Sequence, residues 1–101
     1  MLVEFSSFPV GSGASLSKYV ARSLSIIEES GLSYRINPMG TVLEGEWDDI
    51  IKVIGQCHHA ILEDTERVVT NIKIDDRKGV TNALNRKIKS VEEKVGKELH
   101  K

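Results

Sequence analysis

Apolar side chains along the 101 residues alternate, then recur at helical spacing, then alternate again, and the boundaries between these regimes divide the chain into elements. Leu2 to Phe8 alternates, with Val3 and Phe5 on one face and Leu2, Glu4, Ser6 and Phe8 on the other. This predicts a first strand, closed by Pro9 and the Gly11-Ser12-Gly13 loop. From Ser15, a candidate N-cap, Leu16, Tyr19, Val20, Leu24 and Ile27 follow a helical period as far as Ser30, and Gly31 stands where a left-handed C-terminal residue is usual. Leu32, Tyr34 and Ile36 then alternate with Ser33, Arg35 and Asn37 as a second strand. Pro38 and Gly40 punctuate a turn, proline by fixing φ and glycine by tolerating positive φ, and Thr41 to Glu46 returns as a third strand, so the two should pair as a hairpin. Asp48 or Asp49 opens a second helix at the positive end of its dipole, with Ile50, Ile51, Ile54, Cys57, Ile61 and Leu62 as the buried stripe. Arg67 to Asp75 predicts a fourth strand in which Val68, Thr70, Ile72 and Ile74 oppose Val69, Asn71 and Lys73. After a loop from Asp76 to Gly79, Asn82 caps a last helix striped by Leu84, Ile88, Val91 and Val95.

The order β-α-β-β-α-β plus a C-terminal helix is that of a ferredoxin-like α+β sandwich, in which a four-stranded antiparallel sheet carries two helices on one face. The other face is left bare. Whichever side the helices take, Val42 or Leu43, Val69 or its neighbours, and Phe8 or Phe5 remain on it. A second copy meeting it face to face is expected, because a two-fold contact needs only one self-complementary patch. The length suits a single domain over residues 1–101, and 40% hydrophobic with 29% charged residues argues against disorder. A formal net charge of −1 supplies no general attraction for nucleic acid or an anionic membrane. No apolar run approaches the ~20 residues of a membrane span, and the start Met1-Leu2-Val3-Glu4 lacks the pattern of a signal peptide, so a cytoplasmic location is expected. The lone Cys57 rules out an internal disulfide.

Candidate chemistry is sparse. Glu44 and Glu46 share a predicted strand face with Val42, either as solvated edge charges that discourage aggregation or as carboxylates placed to receive a cationic ligand. The loop Gly11 to Ser15 before a helix could hold an anion, yet it matches neither the P-loop nor the dinucleotide pattern and is better explained as a plain flexible loop. Cys57, His58 and His59 are adjacent on a helix and point in different directions, so they cannot close one metal shell, and no metal is expected. Cys57 on the apolar stripe has no base beside it, and Ser6 and Ser7 have no nucleophile context. The Lys- and Arg-rich segment after Arg77 is better read as a solvated helix face than as an RNA surface, because the third strand presents glutamates where base-stacking aromatics would be needed. No acid and base pair can be placed together, so an enzyme is not expected.

Phe8-Pro9-Val10-Gly11 with Ser15 to Val20, Tyr34, Pro38-Met39-Gly40-Thr41, Glu44-Gly45-Glu46 and Lys73-Ile74-Asp75-Asp76-Arg77 together resemble the thiamine-binding protein family of archaea and bacteria, long catalogued as a domain of unknown function. The likeness runs over nearly the whole chain. The resemblance implies a ferredoxin-like fold assembled as a dimer of dimers, binding of thiamine or its hydroxymethylpyrimidine part, no catalytic centre and no cofactor. Thiamine joins an aminopyrimidine edge to a cationic thiazolium, so a carboxylate, a hydroxyl and a flat ring would suit it. On that basis Glu44 would accept from the pyrimidine amine or pair with the cation, Thr41 would supply a hydroxyl, and Phe8, Tyr34 or Trp47 would stack. The alternative from another class is a structural or regulatory oligomer whose partner is a protein.

Overall fold

The computed structural model describes residues 1–11 and 16–79. The elements run β1 (Leu2–Pro9), α1 (Leu16–Ser30), β2 (Ser33–Asn37), β3 (Gly40–Glu44), α2 (Trp47–Leu62) and β4 (Val68–Asp75). The Ser15 cap, the Ser12-Gly13 part of the first loop and the predicted last helix with Leu84, Ile88, Val91 and Val95 lie outside the described residues. The strands form one antiparallel sheet in the order β2-β3-β1-β4, the ferredoxin-like sandwich expected from the element order. Among the described residues, no helix is long and apolar enough to cross a membrane.

Register decides which side chains face the helices. Val3 pairs with Leu43 and Ile74, and Phe5 with Thr41 and Ile72, so these residues share the covered face. Val3, Phe5 and Leu43 pack there with Ile27 of α1 and Ile50, Val53, Ile54 and Cys57 of α2 as the buried core. The bare face carries Leu2, Phe8, Val42 and Val69 among Glu4, Arg35, Glu44 and Lys73, so apolar surface does remain on it. On the covered side Ile72 and Ile74 stay 46% and 39% exposed, because β4 is an edge strand that α2 meets at Thr70 and not further along.

Several local expectations change. Pairing of Asn37 with Gly40 leaves Pro38 and Met39 as a two-residue hairpin loop. Gly40 is not among the glycines with positive φ; a Cβ there would stand 2.9 Å from the Phe5 carbonyl oxygen, so glycine serves the close approach of β1 and not a left-handed turn. Gly31, at φ +75, does close α1 in the left-handed region. β3 stops at Glu44; one further bond, from the Gly45 N–H to the Met1 carbonyl at 3.1 Å, extends its pairing with β1 before the chain enters α2. Glu46 therefore leaves the strand face of Val42 and Glu44 and becomes the extended N-cap residue of α2, without a side-chain capping bond.

α2 starts at Trp47, with Asp48 and Asp49 in its first turn, where the dipole favours them. Its buried stripe is Ile50, Val53, Ile54, Cys57 and Ile61; Ile51 and Leu62 lie outside it and are 36% and 39% exposed. A period of 3.6 puts Val53 between Ile50 and Ile54 on the covered side and rotates Ile51 away. On α1, Tyr19 and Ile27 are buried and Leu24 is half-buried, whereas Val20 is 53% exposed. Arg22 ties the two helices, donating to the Ala60 carbonyl at 2.9 Å and pairing with Asp64 at 2.8 Å, with Lys18 3.6 Å from the same carboxylate oxygen.

Candidate functional site

One end of the sandwich is open. The first strand brings Phe5 to Phe8, α1 brings Val20, Ser23, Leu24 and Ile27, and the β2–β3 hairpin brings Ile36 to Thr41 around a cleft of about 230 Å³. Each element has a local reason to be there. The tight Pro38-Met39 loop ends the hairpin at the cleft, Gly40 lets it press against β1, and the helical period of α1 turns Val20 to the same side as Leu24 and Ile27. The 86% exposed Met39 stands at the mouth, an adaptable thioether where a ring would enter.

The lining is apolar with a few polar residues, Ser6, Ser7, Ser23, Thr41 and Asn37, beside Phe5 and Phe8. Among the described residues, none of the lining side chains is charged. A small-molecule site is commonly built this way, with apolar walls and a few convergent hydrogen-bonding groups. At 230 Å³ the cleft falls below the ~300–1,000 Å³ typical of drug-sized ligands, so it has room for one ring system more readily than for two. A larger groove of about 700 Å³ lies between the C-terminal part of α1 and the first half of α2, but Glu29, Asp49 and Lys52 line it and no aromatic ring does.

Of the five residues singled out from the sequence, Thr41 and Phe8 line the cleft, Thr41 from the covered face and Phe8 at the end of β1, with its side chain on the bare-face side. Glu44 sits three residues beyond Thr41, roughly 10 Å along the strand at ~3.4 Å per residue, and points to the bare face, opposite Leu2 and Ser33. Tyr34 faces the core, packs against it and donates its hydroxyl to Glu28 Oε1 at 3.0 Å. That bond to the carboxylate is the main reason its phenol is held above the ordinary tyrosine range. Trp47 opens α2, is 52% exposed and does not line the cleft.

Ser7, Ser23 and Asn37 were not singled out as ligand-binding residues. A signal for Ser7 was present, because it continues the inward-facing series of Val3 and Phe5, where a hydroxyl needs a partner. It finds one in Thr70 Oγ1 at 2.7 Å, which lies 2.7 Å from His58 Nδ1. Ser23 and Asn37 gave no such signal, since cleft lining depends on how α1 and the hairpin pack. Cys57 is buried, its Sγ 3.9 Å from the Ser23 carbonyl, and burial outweighs that contact to push its thiol up, which suits packing and not nucleophilic chemistry. His58 and His59 stand edge to face at 5.3 Å. Among the described residues, no three His, Cys, Asp or Glu side chains converge on a possible metal position.

A family model described as thiamine-binding protein matches residues 3–92. The UPF0045 protein MJ1052 of Methanocaldococcus jannaschii is 42% identical over 93 residues, covering 92% of this chain and 93% of its own. The crystal structure of MJ1052 superposes with a TM-score of 0.83 over 91% of this chain and 95% of its own. The UPF0045 protein YqgV of Bacillus subtilis is 38% identical over 96 residues, 89% of this chain and 92% of that one. TM0486 of Thermotoga maritima, a candidate thiamine biosynthesis/salvage protein, shares the fold at a TM-score of 0.75 and 22% identity, over 89% of this chain and 96% of that one. With the family model spanning most of the residues and relatives matched nearly end to end, the chain belongs to the thiamine-binding protein family.

Proposed function

We propose that this chain is a non-enzymatic binding protein of the cytoplasm that sequesters, carries or senses thiamine or its hydroxymethylpyrimidine part, with the pyrimidine ring in the cleft between α1, β1 and the hairpin. The observation that carries this reading is the lining, with its phenylalanines, serines, threonine and asparagine and, among the described residues, no charged residue. A neutral flat ring with a donor and acceptor edge suits such walls, and family membership supplies the ligand class. The cationic thiazolium belongs outside the cleft, because burying a charge there without a partner would be costly. Thr41 supplies a hydroxyl to the ring edge and Phe8 a stacking face. Glu44, on the bare face, is assigned to the surface where a second copy packs, in an assembly read as a dimer of dimers, and would meet the thiazolium only from a neighbouring protomer. Tyr34 and Trp47 would contribute to binding only through that assembly.

Calorimetry with thiamine and with hydroxymethylpyrimidine tests this. Saturable binding of micromolar strength, about 8 kcal/mol, is expected. Thr41→Val should weaken it by roughly three- to tenfold through the loss of one hydrogen bond. Absence of heat with both compounds overturns the ligand assignment.

A further inference from the structure

A polar chain runs through the helix-covered side of the sheet and ends in the cleft. His58 Nδ1 on α2 is 2.7 Å from Thr70 Oγ1 on β4, and Thr70 Oγ1 is 2.7 Å from Ser7 Oγ on β1. Ser7 lines the cleft. Three elements thus connect an imidazole to the cleft wall through two hydroxyls. Each hydroxyl has a single proton to donate, and either ring nitrogen of a neutral histidine can be the protonated one. A lone pair on Nδ1 therefore fixes the direction of donation along the chain, because it takes the one Thr70 proton.

Three arrangements satisfy both contacts. With a lone pair on Nδ1, Thr70 donates its proton to His58, and Ser7 must donate to Thr70, which leaves Ser7 only lone pairs for the cleft. With a proton on Nδ1, His58 donates to Thr70 and the Thr70 proton is freed, so Ser7 can either still donate to Thr70 or accept from it and turn its own proton towards the cleft. We infer that His58 is a positioning residue for the ligand: through Thr70 it sets whether Ser7 can donate a hydrogen bond to the bound ring or can only accept one. The inference rests on the small-molecule reading above and deepens it, because it names the feature being discriminated, an amino against an oxo group on the ring edge. Coupling is reciprocal. An oxo edge presented to Ser7 selects the form of His58 protonated on Nδ1, whereas an amino edge finds a Ser7 lone pair in either form. His59, edge-on to His58 at 5.3 Å, is not a link in the chain.

The test is imidazole 15N NMR on the full chain at about pH 8, where histidines are mostly neutral. His58 is assigned by the signals lost in His58→Gln. The titrants are 4-amino-5-hydroxymethyl-2-methylpyrimidine and its 4-oxo counterpart. The oxo compound should move His58 Nδ1 towards the protonated position, and the amino compound, which either form accepts, should not. In calorimetry, Thr70→Val removes the relay while keeping the side-chain shape, and should shrink the ratio of the two affinities by roughly three- to tenfold. Binding of the oxo compound that leaves His58 Nδ1 unmoved, binding of the amino compound alone, or an unchanged ratio in Thr70→Val, overturns this inference and leaves the binding function standing. Failure of both pyrimidines to bind overturns both, and the wild-type spectra decide the matter even if the variant does not fold.

Discussion

Single residues set the shape of the cleft, and Gly40 is the sharpest case. Its missing Cβ lets the hairpin lie against β1, with the Phe5 carbonyl oxygen 2.9 Å from where that carbon would be. Backbone cannot move aside as a flexible side chain can, so Gly40→Ala is expected to cost about 1–3 kcal/mol, read as a lower urea midpoint with an unchanged slope. Asp64 offers a second test. The Arg22 guanidinium beside it holds its carboxyl below the usual carboxylate range, so the folded state binds that proton less readily than the unfolded chain does. The pairing stabilises fully above about pH 4 and is lost as the pH falls through the depressed folded value. Asp64→Asn should lower the melting temperature at pH 7, and the gap from wild type should narrow as the pH drops from about 4 towards 2. Because Asp64 is solvated, the effect at pH 7 is expected to be small.

Elements were legible from the sequence to the extent that their periods were. The alternation of β1 and β4 and the hairpin of β2 with β3 follow from residue order alone, since strand side chains alternate strictly and a two-residue loop leaves little freedom. The stripe of α2 was read imperfectly, because a run such as Ile50-Ile51 offers two apolar neighbours and the helix can bury only the one that faces the sheet. The two positions should behave differently. Ile54→Ala, at 3% exposure in the core, is expected to cost about 2–5 kcal/mol, whereas Ile51→Lys should stay within about 1 kcal/mol, both measured by urea unfolding. The end of β3 is less legible: Thr41 to Glu46 has strand-like composition throughout, but the strand ends at Glu44 and Glu46 becomes the N-cap residue of α2.

On the scale of the whole molecule, the covered face of the sheet makes the core and the bare face carries Leu2, Phe8, Val42 and Val69 among charges. If copies meet there, Val42→Asp should shift sedimentation at micromolar concentration towards the monomer while the circular dichroism spectrum stays that of the wild type. An unchanged sedimentation coefficient would remove the bare face as the interface. The sequence by itself determined the element order, the strand faces and, through family resemblance, the class of ligand, because periodicity and turn residues act over short stretches of chain. Only the tertiary structure decided that Thr41 and Ser7, on the covered face, share a cleft that the end of β1 at Phe8 also borders, while Glu44 faces away from it. Which end of a strand meets which turn of a helix depends on long-range packing and register, and a shift by a single residue would exchange the two faces.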